Sequence, residues 1–322
     1  MVSLKKQCLS EFLCGLLVGF FGLGCLVLLF KGDTITHVVD QYEFSMLFGL
    51  AIAFVVLIFN PMSGAQFNPG VTIAMVLTKR QNKKTIIPYI LAQILGWFCG
   101  AMMVYGVFHN QIVEIAKITI DGHGAGYAAV NLLFCNYNNG GWYAALPLEI
   151  ILTAFMVIVI LACNDQRIVN KPGKGLFPLV LALYITFGVT FAGPYSGACF
   201  NMARDFGPRL FALIWGSIKG YDTSAVFGNG YQFLVYIFVP TIGAIAGAFI
   251  YDGGIAHLLP QPKVQVDVKG VINENYIKKG SVIKPHEKKE KVSHIIGNDL
   301  TSTDVHVTIS DMLATFSLVH RS

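Results

Sequence analysis

Asn68 and Asn201 are the residues of this chain best placed to act on a passing molecule. Each stands in a copy of one phrase, Ser63-Gly64-Ala65-Gln66-Phe67-Asn68-Pro69-Gly70 and Ser196-Gly197-Ala198-Cys199-Phe200-Asn201-Met202-Ala203. The two asparagines lie 133 positions apart, and a glycine frees the chain four residues before each of them. Asparagine is a strong helix N-cap, and Pro69 suits the first helical position. A capping asparagine accepts with its side-chain oxygen from its own helix, which leaves the amide NH₂ to donate elsewhere. The chemistry this offers is hydrogen-bond donation to a neutral acceptor such as a hydroxyl or a water.

A second pair repeats as well. Glu11 and Glu149 are the acids in the first long apolar run of each half. An uncompensated carboxylate within a membrane span costs about 2.5–3.5 kcal/mol on insertion scales. One reading is that each accepts from the freed N–H groups of its own broken segment; the other is that both reach out to a membrane interface. No nucleophile–base pairing, zinc spacing or glycine-rich phosphate loop accompanies these residues. No catalytic residue, metal or cofactor is therefore expected, and the chain does not read as an enzyme. The seven cysteines fall mostly inside apolar runs, with Cys135 in an outer loop, so no disulfide framework is expected. Cys199 reads as a packed thiol, and His109 and His123 read as solvated loop residues.

The elements that must position these residues are membrane helices. Of 322 residues, 54% are hydrophobic and only 13% are charged, against about 25% charged in an ordinary soluble domain. Six runs are long enough to cross about 30 Å of hydrocarbon as helices, near 9–30, 44–61, 86–108, 143–164, 175–193 and 231–251. The segments that follow the repeated phrase, 68–78 and 201–215, are too short and read as half-helices that enter and return. Breaks of this kind, repeated once per half, point to a duplicated three-helix unit with its working site at the breaks. The expected division is a channel domain over 1–252, with repeats near 8–110 and 143–252, followed by a polar cytoplasmic tail over 253–322. That tail carries 16 of the chain's 41 charged residues.

Charge in the short loops sets the orientation. Lys5, Lys6, Lys79, Arg80, Lys83, Lys84, Arg167, Lys171 and Lys174 fall on one side, against Lys31, Lys117 and Lys219 on the other. Both termini are expected in the cytoplasm. This asymmetry accounts for the net charge of +5 without a nucleic-acid partner. The first run contains Glu11 and lacks a small-residue cleavage site, so it reads as a span and not as a signal peptide. Gly15/Gly19, Gly96/Gly100 and Gly243/Gly247 each share a helix face and allow close helix contact.

Over roughly residues 8–252 the sequence resembles the major intrinsic protein family, in its aquaglyceroporin branch. The resemblance rests on Ser10-Glu11-Phe12-Leu13, Phe20-Phe21-Gly22-Leu23-Gly24-Cys25, both asparagine phrases, and Asn201-Met202-Ala203-Arg204-Asp205-Phe206-Gly207-Pro208-Arg209. Asp205, Arg209 and Pro240 resemble the glycerol-conducting branch, and Phe134-Cys135-Asn136-Tyr137 looks like its outer-loop motif. The resemblance implies an all-α fold of six membrane helices and two re-entrant half-helices in inverted repeat. It further implies a narrowest constriction at Phe48, Val189, Ala198 and Arg204, although Phe48 also suits plain core packing in a chain with 24 phenylalanines. Half-helix dipoles meeting at the midplane, together with an arginine, repel cations in pores of this type, as is established for aquaporins. This chain departs from the usual Asn-Pro-Ala: Gly70 replaces the first alanine and Met202 the second proline.

The function implied is a passive channel for glycerol, other small uncharged solutes and water, assembled as a homotetramer in the lipid bilayer of the plasma membrane. A water-preferring channel, with Val189 narrowing the ring, is the alternative within the class. An alternating-access transporter is the alternative outside it.

Overall fold

The computed structural model describes residues 2–29, 39–117, 119–120, 123–124, 133–137, 140–168, 171–173, 175–220, 223–224, 226–227 and 232–260. The first half of the chain forms α1 (Leu4–Leu29), α2 (Gln41–Ser63), α3 (Pro69–Leu77) and α4 (Ile86–Val107). A short helix, α5 (His109–Lys117), and a two-residue antiparallel pairing, β1 (Thr119–Ile120) with β2 (His123–Gly124), follow in the connection between the halves. The second half forms α6 (Trp142–Asn164), α7 (Phe177–Ser196), α8 (Met202–Lys219) and α9 (Gln232–Ile250). A π-helical turn (Tyr251–Ile255) and α10 (Ala256–Leu258) continue the last run.

Six of these helical runs are long and apolar enough to cross a membrane, and they match the six expected spans to within a few residues at most ends. Three boundaries differ. The first helix begins at Leu4, five residues earlier than expected, because Lys5 and Lys6 continue the turn at its exposed end. The second re-entrant helix runs to Lys219 and not 215; its capping glycine is Gly220, in the left-handed region at φ +72°. The boundary expected at 252 falls inside the π turn. Residues 261–322, which hold most of the expected tail, lie outside the described residues, as do Lys31 and Lys174.

The packing repeats itself between halves. The α1–α4 contact has its counterpart in α6–α9, and α1–α2 in α6–α7. Each re-entrant helix packs against the other half: α8 lies on α4, and α3 lies on α9. Two further contacts, α2–α7 and α3–α8, join equivalent elements. Exchanging the halves thus reproduces the same set of neighbours, which is the architecture of a duplicated unit. Chain contacts gather Met1–Asp165 and Asn170–His257 into one compact unit.

Small residues permit the closest of these contacts, since two helices surrounded by lipid gain little from apolar burial alone and rely on tight packing. A Cβ on Gly100 of α4 would lie 2.8 Å from the Leu16 carbonyl oxygen of α1. In the other half, a Cβ on Gly243 of α9 would lie 2.6 Å from the Ile150 carbonyl oxygen of α6. Large apolar side chains face outward instead, among them Phe54, Leu91, Leu183 and Phe238, all more than half exposed. On a chain of this composition such a belt is the lipid-facing surface.

Arg80, which follows α3, makes a two-pronged ion pair with Asp252 in the π turn, at 2.7 and 2.5 Å. This partner raises the Arg80 pKa above its usual value. Tyr251 donates to Asp165 at 2.8 Å.

The glycine contacts give a direct test. Gly100→Val should cost about 1–3 kcal/mol or more through overpacking and sharply reduce the folded protein recovered from membranes. Gly106→Val, on the same helix but with nothing within 4 Å of its Cβ position, should leave recovery unchanged. Equal recovery of the two variants would show that the α1–α4 contact is not tight.

Candidate functional site

Where two helices break inside an apolar layer, several backbone N–H groups lose their partners, and each needs a new acceptor. Both breaks begin alike. Pro61 and Pro194, the latter again 133 positions on, each remove a hydrogen bond from the last turns of α2 and α7. Gly64 and Gly197 then close those helices in the left-handed region, at φ +93° and +77°. Ala65, Phe67, Ala198 and Phe200 are left-handed too, at φ +43°, +37°, +48° and +50°. Non-glycine residues pay about 1–3 kcal/mol each for such backbone, so something must hold them there.

The two buried acids do so. Glu11, fully buried in α1, accepts from Ser63 Oγ at 2.6 Å and from the Gln66 and Phe67 N–H groups at 3.0 and 2.6 Å. Glu149, fully buried in α6, accepts from Ser196 Oγ at 2.7 Å and from the Cys199 and Phe200 N–H groups at 2.9 and 2.8 Å. Every donor in the second set lies 133 positions after its equivalent in the first. The burial of both acids leaves no room for the interface reading.

The broken segments then return as helices. Asn68 Oδ1 accepts from the Gly70 N–H at 3.0 Å, and Asn201 Oδ1 from the Ala203 N–H at 2.9 Å. Pro69 takes the first position of α3 and Met202 that of α8. The amides do not remain wholly free, as the sequence suggested. Asn68 Nδ2 donates to the Phe200 carbonyl at 2.8 Å, and Asn201 Nδ2 donates to the Phe67 carbonyl at 2.8 Å. One hydrogen of each amide thus ties its segment to the opposite one. The second hydrogen of each is left to donate.

Gly70 has a packing reason. A Cβ there would stand 3.1 Å from the Thr241 Cα and 3.2 Å from the Ala244 Cβ, because the first turn of α3 lies hard against α9. Ala203, at the matching position of α8, is fully buried. Pro240 is buried in α9 and removes the hydrogen bond to the Tyr236 carbonyl.

The sequence reading gave no role to several residues of this network. Tyr236 donates to the Ser196 carbonyl at 2.8 Å, and Tyr89 stands in the same relation to the Ser63 carbonyl at 3.2 Å. Gln93 donates both to Glu11 at 2.7 Å and to Thr72 at 3.0 Å, and Trp97 Nε1 reaches the Phe67 carbonyl at 3.2 Å. The serines and prolines carry a signal, their shared spacing of 133. The tyrosines do not, because the stretch between asparagine and tyrosine differs in length between the halves.

The residues expected at the constriction are Phe48 on α2, Val189 on α7, Ala198 in the second broken segment and Arg204 on α8. All four are buried, at 5–7% exposure. Phe48 rests on Gly22 and meets Phe44 edge-on at 5.9 Å, so it packs within the core. The Arg204 Nη1 atom is buried without a hydrogen-bond partner among the described residues. Asp205 does not pair with its neighbour Arg204. It holds Arg209 through Nε and Nη2, both at 2.8 Å, and accepts the Asn136 N–H at 2.7 Å. Arg209 also donates to the Asn136 carbonyl at 3.0 Å and to the Val226 carbonyl. These two residues clamp the loops carrying Asn136 and Val226 onto the first turns of α8.

Below Asn68 lies a cavity of about 190 Å³. Asn60, Asn164 and the segment Gly64–Asn68 give it polar groups, and Ile52, Val56, Met156, Leu181 and Ile185 give it apolar ones. A neutral molecule carrying both hydroxyls and carbons suits such a lining. Cys199 is packed, with its thiol 3.1 Å from the Asn201 carbonyl, and all seven cysteines are free. Burial pushes the Cys135 thiol in the outer loop up to about 12, so it stays protonated at neutral pH. His109 starts α5 instead of lying in open loop, with its ring 5.1 Å from that of Tyr105; the side chain of His123 lies outside the described residues. No three-residue cluster that could hold a metal occurs among the described residues.

Two helix N-termini that face each other at the centre of six spans, each capped by an asparagine, define a membrane channel built by inverted repeat. The chain belongs to the major intrinsic protein family, whose pattern it matches over residues 1–251. It is 36% identical over 269 residues to the glycerol uptake facilitator protein of Escherichia coli (strain K12), covering 80% of this chain and 91% of that one. The propanediol uptake facilitator PduF of Salmonella typhimurium is 35% identical over 267 residues, covering 80% of this chain and 97% of that protein. Among solved structures, the aquaglyceroporin from Plasmodium falciparum superposes with a TM-score of 0.67 at 28% identity, covering 80% of this chain and 98% of that one. The chain is an integral, multi-pass membrane channel and not an enzyme.

The cross-tie yields a prediction. Asn68→Asp or Asn201→Asp keeps the capping oxygen but turns an acceptor toward the opposite carbonyl. Each should lower stability by about 1–3 kcal/mol, the cost of leaving a buried polar group unpaired. The unfolding temperature of purified protein in detergent reads this out. Wild-type stability in both variants would show that the ties contribute nothing.

Proposed function

We propose that this protein is a passive channel for glycerol and other small uncharged solutes, and that it passes water as well. The observation that carries the reading is the pair of asparagine amides, each anchored by one hydrogen with the other left to donate, above a cavity of mixed polar and apolar lining. The relatives named for glycerol and propanediol uptake and the aquaglyceroporin fold support the same solute class. The constriction is formed by Phe48, Val189, Ala198 and Arg204. Phe48 presents carbon to the solute's carbon side, and Arg204 presents donors to its hydroxyls. Positive potential from two helix N-termini and Arg204 excludes protons and other cations.

The channel domain occupies 1–252 and the polar tail 253–322, with both termini on the cytoplasmic side of the plasma membrane, as the loop charges support. Because each chain holds both re-entrant helices, each subunit of a homotetramer is a complete pore.

Stopped-flow light scattering on proteoliposomes tests the reading. Glycerol should enter well above the rate of empty vesicles, with weak saturation, and water should move too. Arg204→Val should admit cations, seen as a proton or potassium leak. Water flux without glycerol flux would overturn the solute assignment, and a cation-tight Arg204→Val channel with normal solute selection would remove Arg204 from the filter.

A further inference from the structure

Buried polar atoms in a folded chain almost always find partners, and one that does not requires an explanation. In a channel the explanation can be the solute. The central asparagines, both acids, Asp205 and Arg209 have partners within the protein. Two nitrogens beside the second broken segment do not: Arg204 Nη1 and Asn136 Nδ2, both buried without a hydrogen-bond partner among the described residues.

Asn136 is only 4% exposed, although it belongs to an outer loop. Its backbone is held at both ends. The N–H donates to Asp205 Oδ1 at 2.7 Å, and the carbonyl accepts from Arg209 Nη2 at 3.0 Å. Its side chain rests on the second broken segment, with Oδ1 3.0 Å and Cβ 3.5 Å from where a Cβ on Gly197 would stand. Gly197 precedes Ala198, and Asp205 follows Arg204. Asn136 is thereby fixed between two of the residues that form the constriction. A clamp of one buried ion pair and two backbone hydrogen bonds, used to bring an asparagine there, leaves its amide nitrogen with no hydrogen-bond partner among the described residues.

We propose that the Asn136 side-chain amide is a further solute-binding and specificity-determining group of this channel, which hydrogen-bonds a hydroxyl of a passing polyol beside Arg204. The inference rests on the glycerol-channel reading and adds to it a residue outside both asparagine phrases. A polyol needs this more than water does. Its carbons face the apolar wall, so its hydroxyls depend on fixed groups of the protein, whereas a water keeps other waters as partners. Asn136 therefore raises polyol flux relative to water flux. Ser and Thr at this position would also present a hydroxyl, but only an amide offers two donors and an acceptor on one planar group.

The test compares glycerol and water permeability in the same proteoliposomes, each divided by the amount of reconstituted protein. The channels are wild type, Asn136→Leu, Asn136→Ala and Asn136→Ser. The ratio of the two permeabilities is the readout, since a merely structural role would change both together. Asn136→Leu and Asn136→Ala should lower the glycerol-to-water ratio about five-fold, the effect of one net hydrogen bond. Asn136→Ser should restore most of it. If the leucine variant does not accumulate, the alanine and serine variants carry the comparison. A ratio unchanged in leucine or alanine variants would overturn the proposal, as would equal loss in the alanine and serine variants. Absence of glycerol flux in the wild type would instead overturn the channel reading on which it rests.

Discussion

A backbone that stops being helical in the middle of an apolar layer must find new partners for its N–H groups, and this protein solves that problem with two buried carboxylates. Glu11 and Glu149 each take up one serine hydroxyl and two successive peptide N–H groups of a broken segment. Hydrogen bonds from several donors that converge on one carboxyl group reinforce one another, and each is stronger where water is excluded. That strength fixes four non-glycine residues in left-handed backbone. It also turns both chains back so that Asn68 and Asn201 cap helices that start at the same level. The acids have no contact with a solute in this account. Their work is to set the conformation on which everything at the centre depends.

The second constraint is mutual. Each asparagine spends one amide hydrogen on the carbonyl just before its counterpart, so neither segment is in place without the other. The channel is therefore not two independent half-pores that happen to meet. The repeat is imperfect where it can be. Among the described residues only the first acid receives an additional donor, Gln93, and only the first re-entrant helix has a glycine at its second position, where α9 presses closest. The second re-entrant helix carries the outer clamp, in which Asp205 and Arg209 gather two loops over its first turns. The halves share a mechanism for breaking and returning, and they differ in what they hold around it.

Much of this was legible in the sequence. The spacing of 133 between the phrases, the acid in each half and the length of the apolar runs point to the six spans and both breaks. The caps follow from residue type alone, since asparagine and proline have few other uses at such places. What could not be read was any contact made across the halves. Nothing local to Asn68 announces that its amide reaches the Phe200 carbonyl, and so the amides looked freer than they are. Tyr89 and Tyr236 play one part at unequal distances from their phrases, which hides them from a fixed period. Arg209 and Asp205 stood out through resemblance, but their function as a clamp depends on Asn136 and Val226, which the chain delivers from two separate loops. The end of α8 was placed too early because its lower apolar content hides a helix that Gly220 terminates.

On the proposed function, Asn68 and Asn201, each tied to the opposite segment by one amide hydrogen, present the other to the solute. A high-resolution experimental structure in a lipid nanodisc with glycerol tests it most directly. A glycerol or water oxygen should stand about 3 Å from both Nδ2 atoms, with both amide–carbonyl ties intact. Solute oxygens ordered along the pore but away from both amides, or segments parted so that the ties are absent, would contradict it.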